Sequence, residues 1–171
     1  MTLRQAGISD LKKVLEITEK VVPIMRAAGN TQWSERYPNE ERFLEDINNG
    51  TLFVYEEQEI KGFVVIDNNH AEAYEEIEWT LPGNDTMAMH RMAVDPDSQG
   101  QGIASKIFQS ADNIIKTAGY SGIHTDTSLE NKVMQNIFRK NGFHFKGKLH
   151  LDDNQDDWYV AYEKLLYDTG R

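Results

Sequence analysis

The chain has 171 residues, of which 39% are hydrophobic and 27% charged, with no cysteine and a formal charge of −10. This balance describes one folded domain, residues 1–171, with a real core rather than a disordered chain. It excludes disulfides, thiolate metal sites and a cysteine nucleophile. The acidity argues against general nucleic-acid binding, which needs a positive surface. It suits solubility first, and it is compatible with a cationic substrate, because a negative field concentrates cations. No apolar run approaches the ~20 residues of a membrane span, and residues 1–7 lack the apolar core of a signal peptide. The expectation is a cytoplasmic protein with no membrane partner.

Thr2 to Gln5 reads as a short strand. Ser9 and Asp10 offer an N-cap to a helix with apolar positions Leu11, Val14, Leu15, Ile17 and Val21. Pro23 is expected to kink or divide that helix, and Gly29-Asn30 to stop it. Pro38-Asn39 opens a second helix carrying Phe43, Leu44 and Ile47, ended by Gly50. Leu52-Phe53-Val54-Tyr55 and Gly62-Phe63-Val64-Val65-Ile66 flank a turn at Glu57-Gln58-Glu59 and predict a hairpin. Residues 74–80, with Tyr74, Ile77 and Trp79, are read as a further antiparallel strand. Residues 87–94 form the next, closed by Asp95-Pro96, since proline cannot continue a central strand.

Residues 103–118 place Ile103, Ile107, Phe108, Ala111, Ile114 and Ile115 on one helical face. Residues 122–127 are a strand, and residues 131–140 a helix stopped by Asn141-Gly142. Two closing strands, 143–149 and 158–166, flank an acidic loop, Asp152 to Asp157, read as a solvated tip rather than a cation site. The predicted order is β-α-α-β-β-β-β-α-β-α-β-β. One β-α-β unit after an antiparallel meander implies an α/β fold, with helices flanking a central mixed, mostly antiparallel sheet.

The segment with chemical content is Gln99-Gly100-Gln101-Gly102-Ile103-Ala104, where a strand passes through a glycine turn into a helix. The first N–H groups of a helix lack internal partners and can receive a phosphate. Gly100 and Gly102 remove Cβ atoms and permit unusual backbone angles. No Gly-Lys-Ser/Thr follows, so it is not a Walker A loop. Ser105 stands where the dinucleotide fingerprint would need its third glycine. On spacing alone, a plain glycine turn competes evenly with an anion cradle.

The segment resembles the signature of the GNAT acetyltransferases, Arg/Gln-x-x-Gly-x-Gly/Ala, at every specified position. Met92-Ala93-Val94-Asp95-Pro96 is similar to that family's strand exit. Asn131 and Phe138-Arg139-Lys140-Asn141-Gly142-Phe143 resemble its later helix. The resemblance spans nearly the whole chain. It implies that Met92, Ala93 and Val94 bond the pantetheine arm of acetyl-CoA by backbone groups. It implies that N–H groups of Gln99, Gly100, Gln101, Gly102, Ile103, Ala104 and Ser105 hold the pyrophosphate, and that Asn131 and Phe138 belong to the cofactor site. A helix cap is an equally natural role for Asn131, and the two roles are compatible.

The same resemblance implies transfer of an acetyl group to a primary amine of a small molecule or peptide, by direct attack in a ternary complex, with no metal. A homodimer is common among similar proteins. Acetyl transfer needs a neutral amine, a polarised carbonyl and a route for the thiolate. Relatives polarise the carbonyl with a backbone N–H near the position of Met92. Their glutamate base falls at Ala88 here, and their tyrosine acid at Phe138, so both groups are replaced. His90 and Glu78 are the catalytic candidates for proton transfer, and Asp126 is another candidate acid. A packed strand histidine is the competing role for His90. Tyr159 and Tyr162 are alternative proton donors. Trp33, Tyr37, Trp79, Trp158 and Tyr159 are candidates for an acceptor wall, with core packing the alternative. A non-catalytic acyl-CoA-binding module and a nucleotide-binding domain of another kind are the competing functions.

Overall fold

The computed structural model describes residues 2–152 and 154–167. Its elements are β1 (Thr2–Gln5), α1 (Leu11–Ala27), α2 (Glu40–Asn48), β2 (Leu52–Glu57), β3 (Glu59–Asp67), β4 (Thr86–Val94), α3 (Ile103–Thr117), β5 (Gly122–Ser128), α4 (Lys132–Lys140), β6 (His144–Leu149) and β7 (Tyr159–Leu165). The strands follow the order β1-β2-β3-β4-β5-β7-β6. β4 and β5 run parallel, whereas β1–β2, β2–β3, β5–β7 and β6–β7 are antiparallel. The expected α/β fold with a mostly antiparallel sheet and flanking helices is therefore present. Among the described residues no helix is long and apolar enough to cross a membrane.

The chain divides into two compact units, residues 1–66 with 90–111 and residues 67–89 with 112–171. In the first, α1 buries Val14, Ile17, Val21 and Val22, and α2 buries Phe43 and Ile47. Phe43 meets the Phe63 ring edge-on at 5.3 Å, and Trp33 stacks on Phe63 at 6.3 Å. Each such side chain withdrawn from water contributes roughly 1.5–3 kcal/mol. Asn39 caps α2 by accepting a hydrogen bond from Arg42 N at 2.9 Å. Pro23 does not divide α1, which continues to Ala27. The bond that a residue at 23 would donate to the carbonyl of Glu19 is lost on an exposed side of the helix, where water can replace it. The hairpin turn falls at Gln58, which takes φ 71.

Residues 74–80 do not form a strand. Glu72–Glu76 is a 3₁₀ turn followed by a loop, which leaves seven strands among the described residues and the order β-α-α-β-β-β-α-β-α-β-β. Side-chain bonding replaces a ladder here. Buried Tyr74 donates its hydroxyl to Asp126, and the Trp79 indole N–H donates to the Tyr74 carbonyl at 2.8 Å. The Trp79 ring stacks on His124 at 3.7 Å. Apolar positions 74, 77 and 79 were never spaced by two throughout, and the turn satisfies that spacing better than an extended chain.

The second unit is closed by β5, β7 and β6. Gly122 of β5 has no room for a Cβ, which would stand 2.6 Å from Leu81 Cδ1 and 2.7 Å from the Lys164 carbonyl. The loop Asp152 to Asp157 is a hydrogen-bonded tip in which Asn154 N donates to Asp152 at 2.9 Å; Asp153 lies outside the described residues.

Candidate functional site

The glycine turn lies in the first unit. β4 ends at Val94, and Asp95-Pro96 enters a 3₁₀ turn, Pro96–Ser98. Asp95 is 2% exposed and accepts from Asp97 N at 3.0 Å. Its carboxylate also meets Lys20 Nζ at 3.3 Å and Lys13 Nζ at 3.5 Å. Burial pushes that carboxyl upward, but the Asp97 N–H and the two ammonium groups outweigh it and hold it below its usual range. Asp95 N donates to the Lys61 carbonyl at 2.8 Å, so the strand exit is fixed from both sides. The chain then turns through Gly100 at φ 81 and Gly102 at φ 71, angles that cost a side-chain-bearing residue roughly 1–2 kcal/mol.

A Cβ built on Gly100 or Gly102 meets no atom within 4 Å. The space beside both glycines is therefore open, and the turn needs glycine for its backbone angles rather than for internal packing. Residues 99–102 are exposed, whereas Ile103 is buried and anchors the first turn of α3. The first N–H groups of a helix lack internal partners and carry the positive end of its dipole, and α3 begins at this turn. Lys61 Nζ donates to Gln101 Oε1 at 3.1 Å, which places an ammonium at the turn. Gly62 lets β3 close on the same strand exit, because a Cβ there would lie 2.9 Å from both the Ala93 carbonyl and Ile107 Cδ1. The arrangement can bind an anion.

β4 itself is irregular. It pairs with β5 over Thr86–Met89 against Gly122–Thr125. At Arg91 the backbone takes φ 44, a left-handed conformation rare for a residue with a side chain. Ala88 is fully buried and His90 is half-buried. Met92 and Val94 are half-buried, and Ala93 is buried.

His90 and residues 92–105 thus belong to the first unit, and Glu78, Asn131 and Phe138 to the second. Glu78 is exposed in the loop before β4. Asn131 caps α4: its Oδ1 accepts from Met134 N at 3.1 Å, and its Nδ2 donates to Thr127 Oγ1 at 3.2 Å. The Phe138 ring is 3% exposed and packs 5.3 Å from Phe143 and 5.0 Å from Tyr162. Tyr162 donates its hydroxyl to Gln135 Oε1 and accepts from Arg139 Nη1, both at 3.0 Å. Burial raises that hydroxyl, and burial with nearby Asp152 pushes Tyr159 up to about 12. Of the aromatic residues considered for an acceptor wall, Trp33 and Trp79 pack internally, whereas Tyr37 and Trp158 are exposed.

A groove of about 740 Å³ lies within the first unit, along Leu15, Thr18, Glu19, Val22, Pro23 and Arg26 of α1 and residues 34–36 and 38–40. It carries carboxylates at Glu19, Glu35 and Glu40. The sequence pointed to the region through Trp33 and Tyr37 but not to these α1 side chains. It also missed the Arg91–Asp46 pair and Lys61. The Asp-Pro dipeptide after a strand was a signal for Asp95 as a cap; residues 46 and 91, far apart in the chain, left none.

The profile described as "Acetyltransferase (GNAT) family" matches residues 16–143. The uncharacterized N-acetyltransferase YesJ of Bacillus subtilis (strain 168) is 22% identical over 145 residues, covering 83% of this chain and 81% of that protein. The GNAT-family acetyltransferase from Streptococcus agalactiae 2603 is 25% identical with a TM-score of 0.83, covering 96% of this chain and 94% of the other. YncA from Salmonella typhimurium, solved with its cofactor acetyl-CoA, is 16% identical with a TM-score of 0.69, covering 98% and 95%; at that identity it speaks to the fold alone.

Proposed function

Because the chain belongs to the GNAT family of acetyltransferases, we propose that it transfers an acetyl group from acetyl-CoA to a primary amine of a small molecule or peptide, by direct attack in a ternary complex. The observation that carries this reading is the open turn at Gly100 and Gly102, with its left-handed angles and free space, at the head of α3. The pyrophosphate of the donor accepts N–H groups of residues 100–105 there, the Gln99 N–H being held by the Pro96 carbonyl at 3.3 Å, and Lys61 adds a positive charge beside it. The backbone at Met92, Ala93 and Val94 receives the pantetheine arm as an added strand would be received. Asn131 and Phe138 stand in the family's donor-site positions, Asn131 as a cap with its amide oriented and Phe138 as packing.

The Met92 N–H polarises the thioester carbonyl as the amine attacks. The amine must arrive neutral or lose its proton on the way. His90 is the side chain assigned to take it, directly or through water, with Glu78 the second candidate. Attack forms the C–N bond, the C–S bond breaks, and the sulfur leaves as a thiolate. A thiol of pKa roughly 8.5 is a fair leaving group without a dedicated acid. This fits Phe138 at the usual tyrosine position and Tyr162 hydrogen-bonded elsewhere. The α1 groove supplies an acceptor pocket, with Leu15, Val22 and Pro23 for an apolar body and Glu19 or Glu40 for an ammonium group.

The test is thiol release from acetyl-CoA with a broad panel of small amines and peptide N-termini. Amine-dependent release is expected, and no turnover across the panel refutes the catalytic reading. In parallel, CoA should raise the melting temperature more than ATP or NAD at equal concentration. Better protection by ATP or NAD refutes the donor-site assignment.

A further inference from the structure

The left-handed residue in β4 is an arginine, and its side chain is tied down. Arg91 donates from Nε to Asp46 Oδ2 and from Nη2 to Asp46 Oδ1, both at 3.0 Å. This is the paired geometry in which a guanidinium holds a carboxylate most firmly. Asp46, on α2, is 1% exposed and also accepts from Arg42 Nη2 at 2.7 Å. A third nitrogen, Arg91 Nη1, donates to the Tyr37 hydroxyl at 3.4 Å. Only 14% of the Arg91 side chain is exposed. A surface ion pair does not require such burial, and a residue chosen for a left-handed turn alone would be glycine. An arginine held at φ 44 by a buried carboxylate is strain that the surroundings impose on the backbone.

We infer that Asp46 is a positioning residue for acetyl transfer: through Arg91 it fixes the left-handed turn of β4 and hence the direction of the Met92 N–H. The inference rests on the reading that this N–H polarises the thioester. The torsions of Arg91 orient the peptide that follows, so a guanidinium anchored on α2 sets the aim of the Met92 donor. An N–H group stabilises a developing oxyanion only when it is aimed before the reaction begins. The same clamp reaches Tyr37, in the segment that borders the α1 groove. A substituent of the acceptor that displaces Tyr37 would therefore be felt at Arg91.

Two variants test this. Asp46→Asn removes the charge and one arm of the pair. Arg91→Gly accepts φ 44 without strain, leaves Asp46 paired with Arg42, and frees the turn to sample other angles, so it keeps the test valid if Asp46→Asn folds poorly. With the best amine from the panel, both should lower kcat at least tenfold. The KM for acetyl-CoA and the calorimetric Kd for CoA should stay within threefold of wild type. Arg91→Lys, which keeps a charge but not the fork, should fall between Arg91→Gly and wild type. Wild-type kcat in Arg91→Gly overturns the positioning role, as does a loss that follows the folded fraction alone. Failure of the wild-type protein to bind CoA would instead overturn the donor-site reading, and this inference with it.

Discussion

His124 should make the protein lose stability as the pH falls from 7.5 to 5.5. Its ring is fully buried in β5, stacked on Trp79 at 3.7 Å, with Nε2 2.8 Å from Glu163 Oε2 and Nδ1 3.3 Å from Thr86 Oγ1. Burial depresses its pKa to about 4, although Glu163 opposes the shift. Glu163 is itself below its usual range: burial raises it, but N–H bonds from Leu81 and Thr80 and the contact with His124 prevail. The folded state therefore keeps His124 neutral at a pH where the unfolded chain, with an ordinary value near 6.5, binds a proton. A group depressed on folding gives its stability above the unfolded pKa and loses it as the pH falls toward the folded one. Integrating between pH 7.5 and 5.5 gives a loss of ~1.3 kcal/mol, and the slope near pH 5.5 is ~1.2 kcal/mol per pH unit. Urea unfolding at several pH values in this window measures it while staying above the sequence pI of 4.9, where the protein would be least soluble. His124→Gln, which can still donate to Glu163, should be less stable at pH 7.5 and should lose most of the slope. Histidines remote from position 124 contribute equally to both proteins and cancel in the comparison, whereas His70, its ring 5.6 Å from that of His124 and sharing the Thr86 hydroxyl, belongs to the same titrating cluster. Equal slopes in the two proteins, or wild-type stability rising toward pH 5.5, would show that His124 is not held neutral by the fold.

Gly102→Glu should abolish CoA binding in calorimetry by placing bulk and negative charge in the cradle. A Cβ there meets no protein atom within 4 Å, so the ligand-free protein should lose only the ~1–2 kcal/mol of a strained φ; retained affinity would sink the site assignment. Gly122→Ala makes the opposite comparison. Its Cβ would crowd Leu81 and the Lys164 carbonyl, so the melting temperature should drop by the equivalent of ~1–3 kcal/mol with CoA affinity little changed. Asp95→Ala removes the cap of the Pro96–Ser98 turn and the partner of Lys13 and Lys20. It should cost ~0.5–2 kcal/mol in denaturant unfolding and weaken CoA binding severalfold; unaltered binding would mean the cradle does not depend on its entry turn.

The sequence alone determined most of the element order. Helical and strand periodicities are local, so α1, α2, α3, α4 and the hairpin were legible from spacing and from their glycine and proline stops. The glycine turn was legible for the same reason: an anion cradle at a helix start is a local object. The segment at 74–80 failed because the Tyr74–Asp126 hydrogen bond and the Trp79–His124 ring stack join residues 52 and 45 positions apart. Pro23 did not divide α1, because a single missing bond on a solvated face does not break a helix whose opposite face is buried.

The roles of side chains whose partners are remote in the chain emerged only on folding. Asn131 was legible as a cap, but Trp33 and Trp79 became internal packing only once Phe63 and His124 were in place. The sequence offered His90 as a lone strand histidine and Arg91 as nothing at all. Folding joined Arg91 to Asp46 and exposed the left-handed turn between His90 and Met92. The physical reason is general: backbone preference is written in neighbouring residues, whereas burial, charge pairing and pKa belong to neighbours in space.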